Sequence, residues 1–103
     1  MNQVIAPTKP KIEFIVAEEL EPPWRVLIHN DDVTPMDFVV RILQGVFELP
    51  FERAEAIMLT AHHEGMAYVA TYAKDEAQRR VERAHQLARL DGYPLKFTLE
   101  PEG

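Results

Sequence analysis

An abrupt switch from apolar to acidic residues near position 30 constrains the fold of this 103-residue chain more than any other feature. The run 24–29 is apolar enough to form a buried strand, and it ends at an Asn-Asp-Asp sequence at 30–32. A helix is predicted to follow, with Thr34 as its capping residue, Pro35 at its first position and Asp37 in its first turn. The junction therefore places three hydrogen-bond acceptors beside the apolar inner face of a helix, which suits a ligand with a cationic head and a hydrophobic body.

A second interpretation of the same junction stays open at this point. Asn and Asp side chains favour turns, because they bond to nearby backbone amides. The residues at 30–32 could therefore form only a turn that caps the next helix, without any ligand.

The spacing of apolar residues predicts three strands and three helices in the order β-α-α-β-α-β. The predicted strands are 24–29, 66–73 and 95–100, and the predicted helices are 35–48, 51–64 and 74 or 75 to 90. Gly65 and Gly92 stand where the second and third helices should end. The last strand alternates between apolar and polar residues, as an edge strand does. We therefore expect an α/β (α+β) fold, a small two-layer sandwich with a three-stranded sheet packed on three helices.

The composition fits one small domain and restricts its partners. Four of the eight prolines fall within residues 1–23, which we expect to be a flexible N-terminal extension before a core domain at 24–103. A net charge of −6 disfavours nucleic acid and favours positively charged ligands. The chain has no cysteine, no secretory signal and no apolar run of the ~20 residues that cross a bilayer. These features predict a cytoplasmic protein without membrane contact.

Residues able to carry out catalysis are few, since the chain has neither cysteine nor serine. His62 and His63 are adjacent on a predicted helix, about 100° apart, so they cannot easily share a metal ion. We expect no catalytic residues, no metal and no cofactor. One enzyme alternative is a small metal-dependent hydrolase using Asp31, Asp32 and His62, which would hold a divalent metal. Another alternative function is that of a protein-interaction domain on the ribosome. Such a domain would show no preference for free N-termini.

Three sequence blocks resemble the ClpS adaptor family. They are His-Asn-Asp-Asp-Val-Thr-Pro-Met-Asp-Phe-Val at 29–39, Met-Leu-Thr-Ala-His-His-Glu-Gly at 58–65 and Tyr-Pro-Leu-Lys-Phe-Thr-Leu-Glu at 93–100. The resemblance extends over nearly the whole predicted core. It implies a non-enzymatic adaptor that binds the free α-amino group and the bulky hydrophobic first side chain (Leu, Phe, Tyr or Trp) of N-degron substrates. Such an adaptor delivers these substrates to a Clp AAA+ protease.

The resemblance also implies roles for individual residues. Asn30, Asp31 and His62 would accept hydrogen bonds from the substrate ammonium, which carries three donors, and His62 must be neutral to accept one. Asp32 and Thr34 would lie at the mouth of the pocket. The residues expected around the first side chain are apolar: Ile28, Met36, Val39, Met58, Ala61 and Leu95. The helical spacing of these apolar residues also fits an ordinary core.

The chain departs from the better-known family members at two positions. Val33 stands where many members carry an aromatic residue, which should alter contact with the second substrate residue. Ala61 stands where a larger aliphatic residue is common, which predicts a deeper or wider pocket. The order of preference among Leu, Phe, Tyr and Trp therefore stays open.

The resemblance also points to a docking surface for the N-terminal domain of a ClpA or ClpC unfoldase. It places this surface around the start of the third helix, at Lys74, Asp75 and Arg80 of a monomeric chain. The same charged stretch could be only a solvated helix face, and the sequence does not distinguish ClpA from ClpC.

Overall fold

The computed structural model describes residues 22–103, so almost all of the predicted extension at 1–23 lies outside the described residues. The elements follow the order β-α-α-β-α-β, which confirms the predicted fold class. They are β1 (Trp24–His29), α1 (Met36–Gly45), α2 (Phe51–Glu64), β2 (Met66–Tyr72), α3 (Lys74–Leu90) and β3 (Lys96–Pro101). The bounds of β2 and β3 differ from the predicted ones by one residue. Among residues 22–103, no helix is both long and apolar enough to span a membrane.

The sheet is antiparallel and has β1 at its centre, in the order β2-β1-β3. β3 is therefore an edge strand, as its alternating pattern predicts. Ile28, near the end of β1, pairs with Ala67 of β2 and with Phe97 of β3. The Phe97 N–H donates to Nε2 of His85 at 2.9 Å, so a side chain of α3 covers the outer edge of β3.

The helices cover one face of the sheet and enclose the core with it. Val26 and Ile28, two residues apart on β1, point to this face and are almost fully buried. α3 turns three fully buried alanines inward, Ala77, Ala84 and Ala88. Such small side chains allow a helix to lie close against its neighbours.

α1 ends at Gly45, three residues before the predicted end at 48. The carbonyl of Val46 accepts a hydrogen bond from Nη1 of Arg80 at 2.7 Å, and the carbonyl of Phe47 accepts one from the Tyr72 hydroxyl at 3.4 Å. Glu48 then adopts a φ of 58°, in the left-handed region. Because distant side chains satisfy these carbonyls, the chain can leave the helix early.

The prediction that Thr34 caps α1 is wrong. Pro35 occupies the N-cap position with φ −66° and ψ 147°, and no side chain bonds to the N-terminus of the helix. The Thr34 hydroxyl donates instead to Oδ2 of Asp31 at 2.9 Å. A bond to an ionised carboxylate is stronger than one between neutral groups, which accounts for the preference.

Candidate functional site

A cavity of about 300 Å³ opens where β1 ends, α1 begins and the last turns of α2 lie alongside. Every residue predicted to bind substrate lines it. The polar ones are Asn30, Asp31, Asp32, Thr34 and His62, and the apolar ones are Ile28, Met36, Val39, Met58, Ala61 and Leu95. His29, Val33 and Pro35 complete the lining. His29 and Pro35 were not expected there, although each is the chain neighbour of an expected residue.

The inner wall of the cavity is apolar and is assembled from four parts of the chain. The buried wall residues come from β1, α1, α2 and the segment before β3: Ile28, Val39, Met58, Ala61 and Leu95. Met36 differs from them, because it begins α1 and is 43% exposed. This exposure places Met36 at the rim of the cavity, whereas Ala61, only 3% exposed, lies on the inner wall.

One backbone hydrogen bond joins the two elements that present the polar side chains. The Asn30 N–H donates to the carbonyl of Gly65 at 3.0 Å. Gly65 ends α2 with a φ of 92°, a left-handed conformation that glycine adopts without the steric penalty of a Cβ. Asn30 and His62 are thereby held near one another at the end of β1 and the last turn of α2. Both side chains are exposed, so their acceptor atoms are accessible from solvent.

The histidine pair at the end of α2 is asymmetric with respect to the cavity. His62 lines it and His63 does not. The two exposed rings contact each other edge to face, with centroids 5.3 Å apart. The neighbouring ring therefore restricts the orientation of the His62 imidazole at the cavity mouth.

The Asp31 carboxylate accepts three hydrogen bonds from its own loop. Oδ1 accepts the Val33 N–H at 2.8 Å and the Thr34 N–H at 2.7 Å, and Oδ2 accepts the Thr34 hydroxyl. Burial raises the pKa of the Asp31 carboxyl, but the bonds from Thr34 and Val33 outweigh it and hold the pKa below its ordinary value. The group is therefore ionised at neutral pH. A carboxylate offers about four acceptor positions, so one position on Oδ2 is left for a ligand.

The second interpretation of the junction is thus met in part: a turn is built on the Asp31 carboxylate, but no side chain of the junction caps α1. Asp32 is exposed, and its carboxylate bonds to no other residue of the described part of the chain. Two carboxylates at one mouth make it attractive to a cation. Within residues 22–103, no three His, Asp or Glu side chains are arranged so that they could hold a metal ion.

The three residues predicted to dock an unfoldase lie apart from the cavity, on the first turns of α3. Lys74 and Asp75 are exposed, and Nζ of Lys74 lies 5.2 Å from the centre of the Trp24 ring. Arg80 is held within the chain, since Nε and Nη2 donate to Oε2 of Glu76 at 3.0 and 2.7 Å. Burial lowers the pKa of Arg80, but the bond to Glu76 together with the electrostatic effects of Tyr72, Glu76 and Glu48 outweighs burial, and the pKa is raised. Its guanidinium also stacks over the Tyr72 ring, at 4.6 Å.

Comparisons with known proteins agree on one family. Residues 19–98 match the family model described as ATP-dependent Clp protease adaptor protein ClpS. The chain is 42% identical to ClpS 2 of Mesorhizobium japonicum over 92% of this chain and 94% of that protein. It is 40% identical to ClpS 1 of Bradyrhizobium diazoefficiens over 99% of each. A solved structure of Agrobacterium tumefaciens ClpS2 bound to L-phenylalaninamide is similar, with a TM-score of 0.76 and 37% identity. That match covers 79% of this chain and 98% of ClpS2.

Proposed function

We propose a function that starts from family membership: the chain belongs to the ClpS family of adaptors of the ATP-dependent Clp protease. It is an adaptor and not an enzyme, so the metal-dependent hydrolase is not retained as an alternative. The proposed ligand is the N-terminus of an N-degron substrate with a free α-amino group and a bulky hydrophobic first side chain. The observation that carries the proposal is one cavity with acceptors at its mouth and an apolar inner wall.

The polar mouth matches the chemistry of a free N-terminus. An ammonium carries three donors in a compact tripod, and the mouth offers the Asn30 side-chain oxygen, a His62 ring nitrogen and the open position on Asp31. Hydrogen bonds to charged groups contribute roughly 1.5–3 kcal/mol each. An internal residue of a protein lacks the ammonium and would leave these acceptors without their donors.

The apolar wall provides the second half of the recognition. Enclosing a Leu or Phe side chain within it would contribute roughly 1.5–3 kcal/mol. A substrate that begins with Gly or Asp has no apolar body to bury there. The ligand of the similar A. tumefaciens ClpS2, L-phenylalaninamide, combines a free α-amino group with a benzyl side chain, and it supports the same pairing here.

Delivery requires a second surface, which we propose to be the start of α3. The exposed charges of Lys74 and Asp75 can make contacts with the N-terminal domain of a ClpA or ClpC unfoldase while the chain acts as a monomer. The Arg80 guanidinium is engaged by Glu76 and by the Val46 carbonyl. Its contribution to this surface would therefore be to hold α3 against the end of α1.

Peptide titration of the purified chain tests the proposed ligand. Peptides that differ only at the first residue should bind well with Leu or Phe and poorly with Gly or Asp, and N-acetylation should abolish binding. His62→Ala should weaken binding of the Leu peptide by roughly ten- to a hundredfold, the equivalent of one hydrogen bond to a charged group. Thr60→Ala is the matched control, because Thr60 is an exposed polar residue of the same helix outside the cavity. Equal binding of free and acetylated peptides would refute the proposal.

A further inference from the structure

We propose that Thr34 is a positioning residue for the substrate amine: its hydroxyl holds the Asp31 carboxylate so that one acceptor position on Oδ2 stays open. The inference rests on the proposed function, because it requires Asp31 to bind the α-amino group. Both residues line the cavity, and the Thr34 hydroxyl lies 2.9 Å from Oδ2 of Asp31.

The two oxygens of the Asp31 carboxylate are held in different ways. Backbone N–H groups of Val33 and Thr34 hold Oδ1, and these donors are fixed by the fold of the loop. Within residues 22–103, the Thr34 hydroxyl is the one group bonded to Oδ2. The torsion that rotates a carboxylate is broad, and because the group is rigid a rotation moves both oxygens together. The Thr34 hydroxyl opposes this rotation at Oδ2 and occupies one of the two acceptor positions there. The hydroxyl therefore sets where the open acceptor position lies.

Pre-orientation of this kind increases affinity because a fixed acceptor loses less freedom when the ligand binds. Without the hydroxyl, only the two backbone N–H bonds to Oδ1 would hold the carboxylate, and the amine would have to supply more of its order. Thr34 lines the cavity, so its methyl group could also contribute apolar contact, independently of its hydroxyl.

Two substitutions separate the hydroxyl from the methyl group. Thr34→Val keeps the shape and removes the hydroxyl, whereas Thr34→Ser keeps the hydroxyl and removes the methyl. We expect Thr34→Val to weaken binding of a Leu-initiated peptide by roughly five- to twentyfold, and Thr34→Ser to stay within about threefold of the unmodified chain. Thr71→Val is the matched control, since the Thr71 hydroxyl makes a solvent-exposed hydrogen bond with the Tyr68 hydroxyl, 2.6 Å away and outside the cavity. Thermal unfolding checks that each variant is folded, and Thr34→Ala replaces Thr34→Val if the latter does not fold.

A double-mutant cycle tests whether Thr34 acts through Asp31. In an Asp31→Ala background, Thr34→Val should cause no further loss of affinity. Full affinity of Asp31→Ala alone would refute the assignment of Asp31 to the amine, and this inference with it. Weak binding by Asp31→Ala combined with full binding by Thr34→Val would overturn only the role of Thr34. Losses that simply add would overturn it too, since Thr34 would then act on the ligand directly.

Discussion

At the residue scale, Met36 is the side chain best placed to select among hydrophobic N-termini. It lies at the rim of the cavity and is 43% exposed, while the wall below it is buried. A substrate side chain branched at Cβ, such as Ile or Val, would bring a second γ carbon against this methionine. Crowding of that kind costs about 1–3 kcal/mol, or roughly five- to a hundredfold in affinity.

Met36→Ala should therefore raise affinity for Ile- and Val-initiated peptides more than for the Leu-initiated peptide. Titrations of the same three peptides against the unmodified chain give the reference ratios. Met66→Ala is a matched control, because Met66 is a similarly exposed methionine that does not line the cavity. An unchanged ratio of Leu to Ile affinity in Met36→Ala would show that Met36 does not select the first residue.

The lining of the cavity, except His29 and Pro35, could be predicted residue by residue, because three sequence blocks resemble the ClpS family. The direction of the Thr34 hydroxyl could not be predicted from the sequence. Thr34 before a proline reads as a helix cap, and only the orientation of the Asp31 carboxylate shows that the hydroxyl donates there instead. Local sequence favours both arrangements, and the energetic difference between them depends on side-chain geometry.

At the element scale, the types and order of the helices and strands could be predicted from apolar spacing. The C-terminal end of α1 could not be predicted in this way. The last carbonyls after α1 are satisfied by Tyr72 and Arg80, which lie 25 and 34 residues away from their partners. No pattern within residues 35–48 contains that information. The same holds for the outer edge of β3, where the bond from Phe97 to His85 depends on how α3 packs.

His85 makes this packing sensitive to acid. Burial, and then the charge of Arg89, lower the pKa of His85 below its ordinary value of 6.5, so the folded chain favours the neutral ring that accepts the Phe97 N–H. The unfolded chain binds the proton more readily, so His85 contributes stability above pH 6.5. This contribution is lost as pH falls from 6.5 through the folded pKa.

His85→Gln keeps an acceptor that does not titrate. The free energy of unfolding of this variant should fall less between pH 7.5 and 5 than that of the unmodified chain. Denaturant unfolding at both values measures this, with the exposed His63→Gln as control; equal losses in all three proteins would contradict it.

At the scale of the whole molecule, the two proposed surfaces lie at opposite ends of one strand. Gly65 closes the helix that presents His62, β2 follows directly, and Lys74 begins α3 after one intervening residue. Seven residues of strand span roughly 23 Å, so a ligand in the cavity leaves the start of α3 uncovered. If both proposed surfaces are used, this separation would let substrate and unfoldase be bound at the same time.

Separation of the two surfaces predicts variants that bind but do not deliver. Lys74→Ala combined with Asp75→Ala should leave peptide affinity unchanged, because neither residue lines the cavity, and should slow adaptor-dependent degradation. The assay is degradation of a fluorescent Leu-initiated protein by ClpP with ClpA or with ClpC, alongside peptide titration of the same preparations. Glu82→Ala combined with Arg83→Ala is the matched control, since it removes one exposed acid and one exposed base further along the same helix. Degradation at the full rate by the Lys74–Asp75 variant with both unfoldases would place docking elsewhere on the molecule. Equal loss in the control would point to the general charge of α3 and not to its first turn.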